Sequence, residues 1–169
     1  AAAAIPPDDF LTFFDILALS WRGRRNGRVR KWTQPVHVRT RGIAAAAHKD
    51  AIEAMLEEAS ALCGLPFQRV AAGAKRDKVV TLYFVSGREM RRLYPSQNAV
   101  CFAHTQGNWG KLHTARVHIG AEHADCLHHE FMHALGFDGH WPGAETGIEA
   151  ATALAQRSAP ERAHGFSAW

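Results

Sequence analysis

The chain has 169 residues, of which 47% are apolar and 21% are charged, so it is long enough to bury one hydrophobic core. Its three cysteines are too few for a disulfide-scaffolded fold, and the sequence contains no apolar run of the ~18 residues that a membrane span needs. These features predict a single domain over residues 21–169, preceded by a helical extension over residues 1–20.

The N-terminal region predicts a helix followed by a basic hairpin. An apolar stripe runs along residues 10–19. Asn26 and Gly27 are typical of a two-residue hairpin turn. The arm that follows, 29–41, alternates as a strand for part of its length, and Pro35 favours an edge position for it.

The middle of the chain predicts a long helix and two strands. Residues 45–63 form an amphipathic helix that Gly64 ends. Strands are predicted over 67–71 and 78–86, and a short helix over 87–93. The apolar side of the long helix carries Ile52, Met55, Leu56, Ala59 and Leu62.

The C-terminal half predicts one more strand and two helices. Residues 94–111 are expected to be irregular, 114–120 to form a strand, and 125–135 and 145–157 to be helical. Strands that alternate with helices in this order predict an α/β fold, with a mixed twisted sheet backed by the long helix.

The helix predicted over 125–135 carries the sequence H-E-x-x-H. His129 and His133 lie one helical turn apart, so both imidazoles project from one face and can bind one Zn²⁺. Glu130 lies about 100° around the helix, within reach of a metal-bound water. Gly136 is typical of a left-handed helix end, which would turn the chain and bring His140 toward the metal.

This motif resembles the signature of the metzincin metalloproteases, H-E-x-x-H-x-x-G-x-x-H. The match holds at His129, Glu130, His133 and Gly136, whereas Gly139 stands at the third-ligand position, one residue before His140. Metzincins also carry a methionine turn downstream of the motif. Since no methionine follows it here, either that turn lies beyond residue 169 and the domain is truncated, or the chain is a divergent branch.

The layout is also similar to an uncharacterised bacterial exported family with a metzincin-like core. That looser resemblance extends from residues 32–36 to the motif helix. It implies a secreted or periplasmic protein with a metzincin-like (zincin) fold.

Together the motif and the resemblance predict a zinc peptidase with one Zn²⁺ per chain. His129, His133 and His140 are the expected ligands, and Glu130 is the expected base that activates the metal-bound water for attack on a peptide bond. By analogy with metzincins, the strand over 114–120 is expected to be the sheet edge that pairs with an extended peptide or protein substrate.

Three alternatives stay open at this point. The third ligand is an acidic residue instead, either Asp138 or, as in other zincins, Glu149, with Glu145 less well placed. The chain is a non-catalytic zinc-binding or interaction module derived from a metalloprotease. Or it is a basic surface-binding protein in which the helix motif is incidental.

The cysteines carry three further expectations. Cys63 ends the long amphipathic helix and is expected in the core. Cys101 and Cys126 flank the segment that leads into the motif, and they are candidates for a disulfide if the protein is exported. A Cys126 thiolate ligand is the weaker alternative, because the third ligand of such sites usually follows the helix.

Basic residues crowd the predicted hairpin over 22–41. An anionic lipid or cell-wall polymer is a candidate partner for them, whereas a solvated face that protects a sheet edge is the simpler interpretation. No recognised nucleic-acid motif accompanies them, so no specific nucleic-acid partner is expected. The cluster comprises Arg22, Arg24, Arg25, Arg28, Arg30, Lys31, Arg39 and Arg41.

Overall fold

The structure is a computed structural model that describes residues 10–21, 24–25, 28–43, 45–74, 76–95 and 99–139. These contain four helices, namely α1 (Phe10–Leu19), α2 (Lys49–Cys63), α3 (Gly87–Leu93) and α4 (Leu127–Leu135). They also contain seven strands, namely β1 (Ser20–Trp21), β2 (Arg24–Arg25), β3 (Val36–Gly42), β4 (Phe67–Arg69), β5 (Val79–Val85), β6 (Cys101–Asn108) and β7 (Lys111–Gly120).

Five of these strands form one mixed sheet in the order β4-β3-β5-β7-β6. The first four of them run parallel, and β6 pairs antiparallel with β7 at the edge. Strands alternating with helices therefore produce a mixed α/β fold with a five-stranded sheet, as the sequence predicts.

One face of the sheet carries the hydrophobic core. Alternating strand residues that are in register with one another, such as Val38, Val80 and Ala115, all lie in a single buried cluster. The same cluster contains the apolar side of α2 and the apolar side of α4. Both helices therefore pack against the same face of the sheet, and the core positions α4 beside the edge strand β6.

Helix α2 follows the predicted amphipathic pattern with one exception. Four of its five predicted core residues are buried, but Leu62 is 51% exposed. Cys63 is also exposed, so the prediction that it lies in the core is wrong. Both residues lie in the last turn, because Gly64 ends the helix with a φ of 62°.

The segment predicted to be irregular, 94–111, contains the edge strand β6. The strand over 114–120 is accordingly not the edge strand: as part of β7, it is paired on both sides. The edge prediction for 29–41 is also wrong, because β3 lies between β4 and β5. Pro35 precedes the first paired residue of β3, and at that point its missing N–H costs no ladder hydrogen bond.

The basic hairpin also differs from its prediction. Strand β2 pairs with the preceding β1, through Trp21 and Arg24, rather than with a later arm. Asn26 and Gly27 lie outside the described residues. Farther along, Arg30 binds Asp138 and Arg41 donates to the carbonyl of Ala72, so these two side chains have partners outside the predicted hairpin.

Several predictions fall outside the described residues or stay untested. The helix over 145–157 lies outside them, and the division into an extension (1–20) and a domain (21–169) stays a prediction. Within the described ranges, no helix is long and apolar enough to cross a membrane.

Candidate metal centre

Helix α4 presents the two motif histidines on the side that faces away from the core. It begins after a short 3-10 turn, Ala124–Cys126, and buries Leu127, Phe131 and Ala134 against the sheet. His129 and His133 are half-buried. The 3.6-residue period thus puts both imidazoles on one face, as the sequence predicts, whereas Glu130 is buried with the packing residues.

The two motif histidines point their Nε2 atoms at each other. The Nε2 of His129 and the Nε2 of His133 are 3.2 Å apart, and the ring planes are inclined by 87°. A tetrahedral zinc ion with two Zn–N bonds of about 2.0–2.1 Å holds its nitrogens about 3.3 Å apart. The pair therefore fits two zinc ligands, although 3.2 Å also suits a hydrogen bond if the Nε2 of His129 carries a proton.

The other ring nitrogen of His133 is also engaged. Its Nδ1 is in hydrogen-bond contact with the backbone carbonyl oxygen of Phe137, one turn farther along the chain. A carbonyl oxygen only accepts, so the Nδ1 carries the proton and the Nε2 of a neutral ring keeps its lone pair. Metal-binding histidines commonly have this outer contact, which fixes both the tautomer and the ring orientation.

Glu130 is a buried carboxyl group, with only 7% of the residue exposed. Burial raises its pKa to about 7, against a backbone hydrogen bond from Ala103 that lowers it. Since Ala103 lies in the edge strand β6, the carboxyl group lies between α4 and the sheet edge. A carboxyl group with this pKa can both accept and release a proton near neutral pH.

The end of α4 is held by a segment of the chain about 100 residues earlier. The indole Nε1–H of Trp32 donates to the carbonyl of Ala134 at 2.9 Å in a buried hydrogen bond. Gly136 has a φ of 113°, and a Cβ placed on it would lie 2.1 Å from the carbonyl oxygen of Arg30. Only glycine fits this position, so the predicted helix end is confirmed and has a second, steric reason.

The loop after Gly136 is also fixed. The guanidinium of Arg30 contacts the carboxylate of Asp138 at 2.7 Å, and both side chains are mostly buried. Gly139 donates its N–H to the carbonyl of Leu17 in α1, and a Cβ on it would overlap the carbonyl of Ile16. A histidine therefore has no room at position 139, which explains physically why the metzincin third-ligand position is a glycine here.

The structure brings together three of the four predicted site residues. His129, Glu130 and His133 all lie on α4, where the two imidazoles contact each other and Glu130 is buried toward β6, whereas His140 and the alternative Glu149 lie outside the described residues. Asp138 already pairs with Arg30, so this alternative ligand has another partner. Among the residues that the structure describes, no group of three His, Cys, Asp or Glu side chains is arranged to hold a metal ion.

Cys101 and Cys126 form a disulfide, with 6.6 Å between their Cα atoms. This pairing is one of the sequence predictions. It rules out the alternative in which a Cys126 thiolate is a metal ligand, because the sulfur is already bonded. The disulfide joins the first residue of β6 to the turn before α4, so it anchors the motif helix to the edge strand.

Sequence reasoning missed three contributors to this site, namely Ala103, Trp32 and Arg30. Ala103 was hidden because β6 was expected to be irregular. Trp32 and Arg30 act over separations of 102 and 108 residues, for which no local pattern gives a signal.

A family model described as "Protein of unknown function (DUF2927)" matches residues 11–138, about three quarters of the chain. The chain belongs to this family. The matched range includes the motif helix and the segment that holds its end. No curated protein and no solved structure matches the chain.

Proposed function

We propose that this member of the DUF2927 family is a zinc-dependent peptidase. The observation that carries the proposal is the convergence of the two Nε2 atoms at 3.2 Å on a helix that also buries the carboxyl group of Glu130. His129, His133 and His140 hold the metal, and Glu130 is the catalytic base. When bound, zinc acidifies a water molecule and polarises the substrate carbonyl.

The chain's own residues supply the proton transfers. Glu130 takes a proton from the attacking water and delivers it to the leaving amine. Burial of the carboxyl group against the sheet edge raises its pKa, which favours uptake of the proton from the water. The Phe137 carbonyl fixes the tautomer of His133, so that the lone pair of its Nε2 would be the one to hold the metal.

The edge strand β6 is the proposed binding site for the substrate backbone. Among the described strands β6 pairs only with β7, so the backbone groups on its other side, apart from the Ala103 N–H, are available to an extended peptide. The Ala103 N–H that donates to Glu130 belongs to this strand. A peptide paired along β6 would therefore pass beside the carboxyl group that has to act on it.

The broader proposal is that the fold is a metzincin-like core. Support comes from the position of the long helix α2 and the motif helix α4 on one face of the sheet, and from the antiparallel edge strand beside the motif. The fixed Gly136 matches the signature as well. Secretion or export remains part of this proposal, and the disulfide is compatible with it.

The test is hydrolysis of a fluorescently labelled unfolded protein by the zinc-loaded chain and by the Glu130→Gln variant. Loss of the base is expected to lower the rate at least ~100-fold while the zinc content stays the same. Glu57→Gln, which changes an exposed glutamate of α2, serves as the matched control and should leave the rate unchanged. Equal rates for wild type and Glu130→Gln, both with zinc, would contradict the mechanism. Zinc binding without hydrolysis by wild type would favour the non-catalytic zinc-binding module.

A further inference from the structure

The turn between β6 and β7 combines two unfavourable features at one residue. Trp109 is 83% exposed, far more than the other large apolar side chains among the described residues. Its φ is 50°, and Gly110 follows with a φ of 77°. Two successive positive φ values in a two-residue hairpin loop are typical of a type I′ turn, where Asn-Gly is favoured and a bulky residue is strained.

Neither folding nor solubility explains a tryptophan at this position. Asparagine there would relieve the backbone strain and remove an apolar side chain from water. The contact of its ring with exposed Arg28 is weak, so a position that violates two local preferences for so little is a candidate for function. The side chain is therefore best explained by something outside the chain.

The neighbours of Trp109 form a basic rim. The guanidinium of Arg28 lies 5.7 Å from the centre of the indole ring. The backbone of Lys31 forms an isolated β-bridge with that of Lys111, beside the turn. Val29, which is 45% exposed, adds a second apolar side chain. We call these five residues, Arg28, Val29, Lys31, Trp109 and Lys111, the basic tip. Three of them are cationic, two are apolar, and none is acidic.

We propose that the basic tip docks on an anionic lipid bilayer. Tryptophan is enriched at the level of lipid headgroups, and basic residues beside it are attracted to anionic lipids. A single-stranded nucleic acid is the weaker alternative, because Arg28 already covers a face of the indole on which a base would stack. Exposed Val29 also gains from contact with acyl chains and not from contact with a polyanion.

The position of the tip relates this docking to the candidate metal centre. The same segment that contributes Arg28, Val29 and Lys31 also contributes Arg30 and Trp32, which hold the end of α4. A bilayer bound at the tip would therefore hold the motif helix near the membrane surface. The docking itself does not depend on zinc or on peptidase activity.

The test is cosedimentation of the full chain with vesicles, either of phosphatidylcholine alone or of phosphatidylcholine and phosphatidylglycerol in equal amounts. The chain should bind the anionic vesicles only, and salt should weaken binding. Trp109→Asn should reduce binding about tenfold or more. Because Asn-Gly suits the turn, this variant should unfold at the same temperature as wild type or higher, so the loss cannot be attributed to misfolding.

Charge removal provides the matched control. Lys111→Gln should weaken binding about fivefold, whereas Arg91→Gln, at the opposite end of the sheet on α3, should not. The proposal is overturned if wild type does not bind anionic vesicles or if Trp109→Asn binds them as tightly as wild type does. It is also overturned if the two charge variants lose the same amount of vesicle affinity. Tighter binding to a single-stranded RNA than to the vesicles would also overturn it.

Discussion

Helices α2 and α4 look alike in sequence but are fixed in the fold in different ways. Both are amphipathic, both pack on the same face of the sheet, and both end at a glycine with positive φ. Yet a Cβ on Gly64 would meet nothing within 4 Å, whereas a Cβ on Gly136 would overlap the backbone of Arg30. The polar side of α2 is largely exposed, whereas α4 buries Glu130.

The difference in how the two helices are held indicates that α2 serves packing, whereas α4 has to be placed precisely. Helix α2 is positioned mainly by its apolar stripe, which tolerates small shifts. Helix α4 has a disulfide before its first residue, and Trp32 and Arg30 hold its end and the loop that follows. Metal ligands need placement within about 0.5 Å, and a buried carboxyl group is a cost that a purely structural helix avoids.

Alanine in place of the glycine that ends each helix should lower the free energy of unfolding by very different amounts. Gly136→Ala puts a methyl group into the Arg30 carbonyl and should lower the free energy of unfolding by about 4 kcal/mol or more. Gly64→Ala has only the positive φ to overcome and should cost about 1–2 kcal/mol. Urea unfolding of both variants measures the difference, and similar losses would mean that the contact with Arg30 does not constrain α4.

The buried glutamate should give the unfolding free energy a pH dependence that an exposed one lacks. Below pH 4.5 Glu130 is protonated in both states. Between pH 4.5 and about 7 the folded chain retains a proton that the unfolded chain has lost, so stability falls as pH rises and levels off above pH 7. The fall should amount to ~3 kcal/mol.

Glu130→Gln should remove this fall, and Glu57→Gln should leave it in place. Unfolding is followed by urea titration from pH 4 to pH 8 in the presence of a chelator, so that metal binding does not contribute. A wild-type stability profile that is unaffected by Glu130→Gln would show that the carboxyl group is solvated rather than buried.

Loss of the Trp32 hydrogen bond should affect zinc affinity as well as stability. Trp32→Phe leaves the Ala134 carbonyl without this donor and should cost ~1–2 kcal/mol. Ser60→Ala removes the acceptor of the Phe67 N–H beside α2 and should cost a similar amount. Only Trp32→Phe should weaken zinc binding in a competition titration. Equal zinc affinities for the two variants would mean that Trp32 only stabilises the fold.

The smallest expected difference between the two helices is in the coupling energies of their nearby ion pairs. Arg30–Asp138 is mostly buried and should show a coupling energy of about 1 kcal/mol in a double-mutant cycle. Arg69–Glu53, which links β4 to α2 and is more exposed, should couple by about 0.5 kcal/mol or less. A stronger coupling at Arg69–Glu53 would contradict the view that the loop after α4 is held more tightly than α2.

The sequence predicted well whatever depends on neighbouring residues. The bounds of α2, α3 and β5 agree with their predictions to within a few residues. The amphipathic period of α2 and the continuous apolar run of β5 are local signals. Strand β6 was missed since its exposed residues are polar and Gly107 and Asn108 suggested a loop. The order of the strands was not predictable, because it depends on pairings between distant segments.

In the candidate site too, features set by neighbouring residues were predictable and contacts between distant segments were not. His129, Glu130 and His133 were found because three residues on one helix share a local pattern. The hydrogen bond from Ala103 and the contacts from Trp32 and Arg30 exist only after the chain has folded. They explain how α4 is held in place, which the motif alone does not indicate.

The zinc content per chain, measured by elemental mass spectrometry, decides whether α4 is a zinc-binding helix. Wild type, His133→Ala and His48→Ala are compared after zinc loading and dialysis, since His48 stacks on Phe84 rather than facing the motif histidines. Near one zinc per chain in wild type and His48→Ala, with loss in His133→Ala, is the predicted result. No zinc in wild type, or equal zinc in all three proteins, would contradict it.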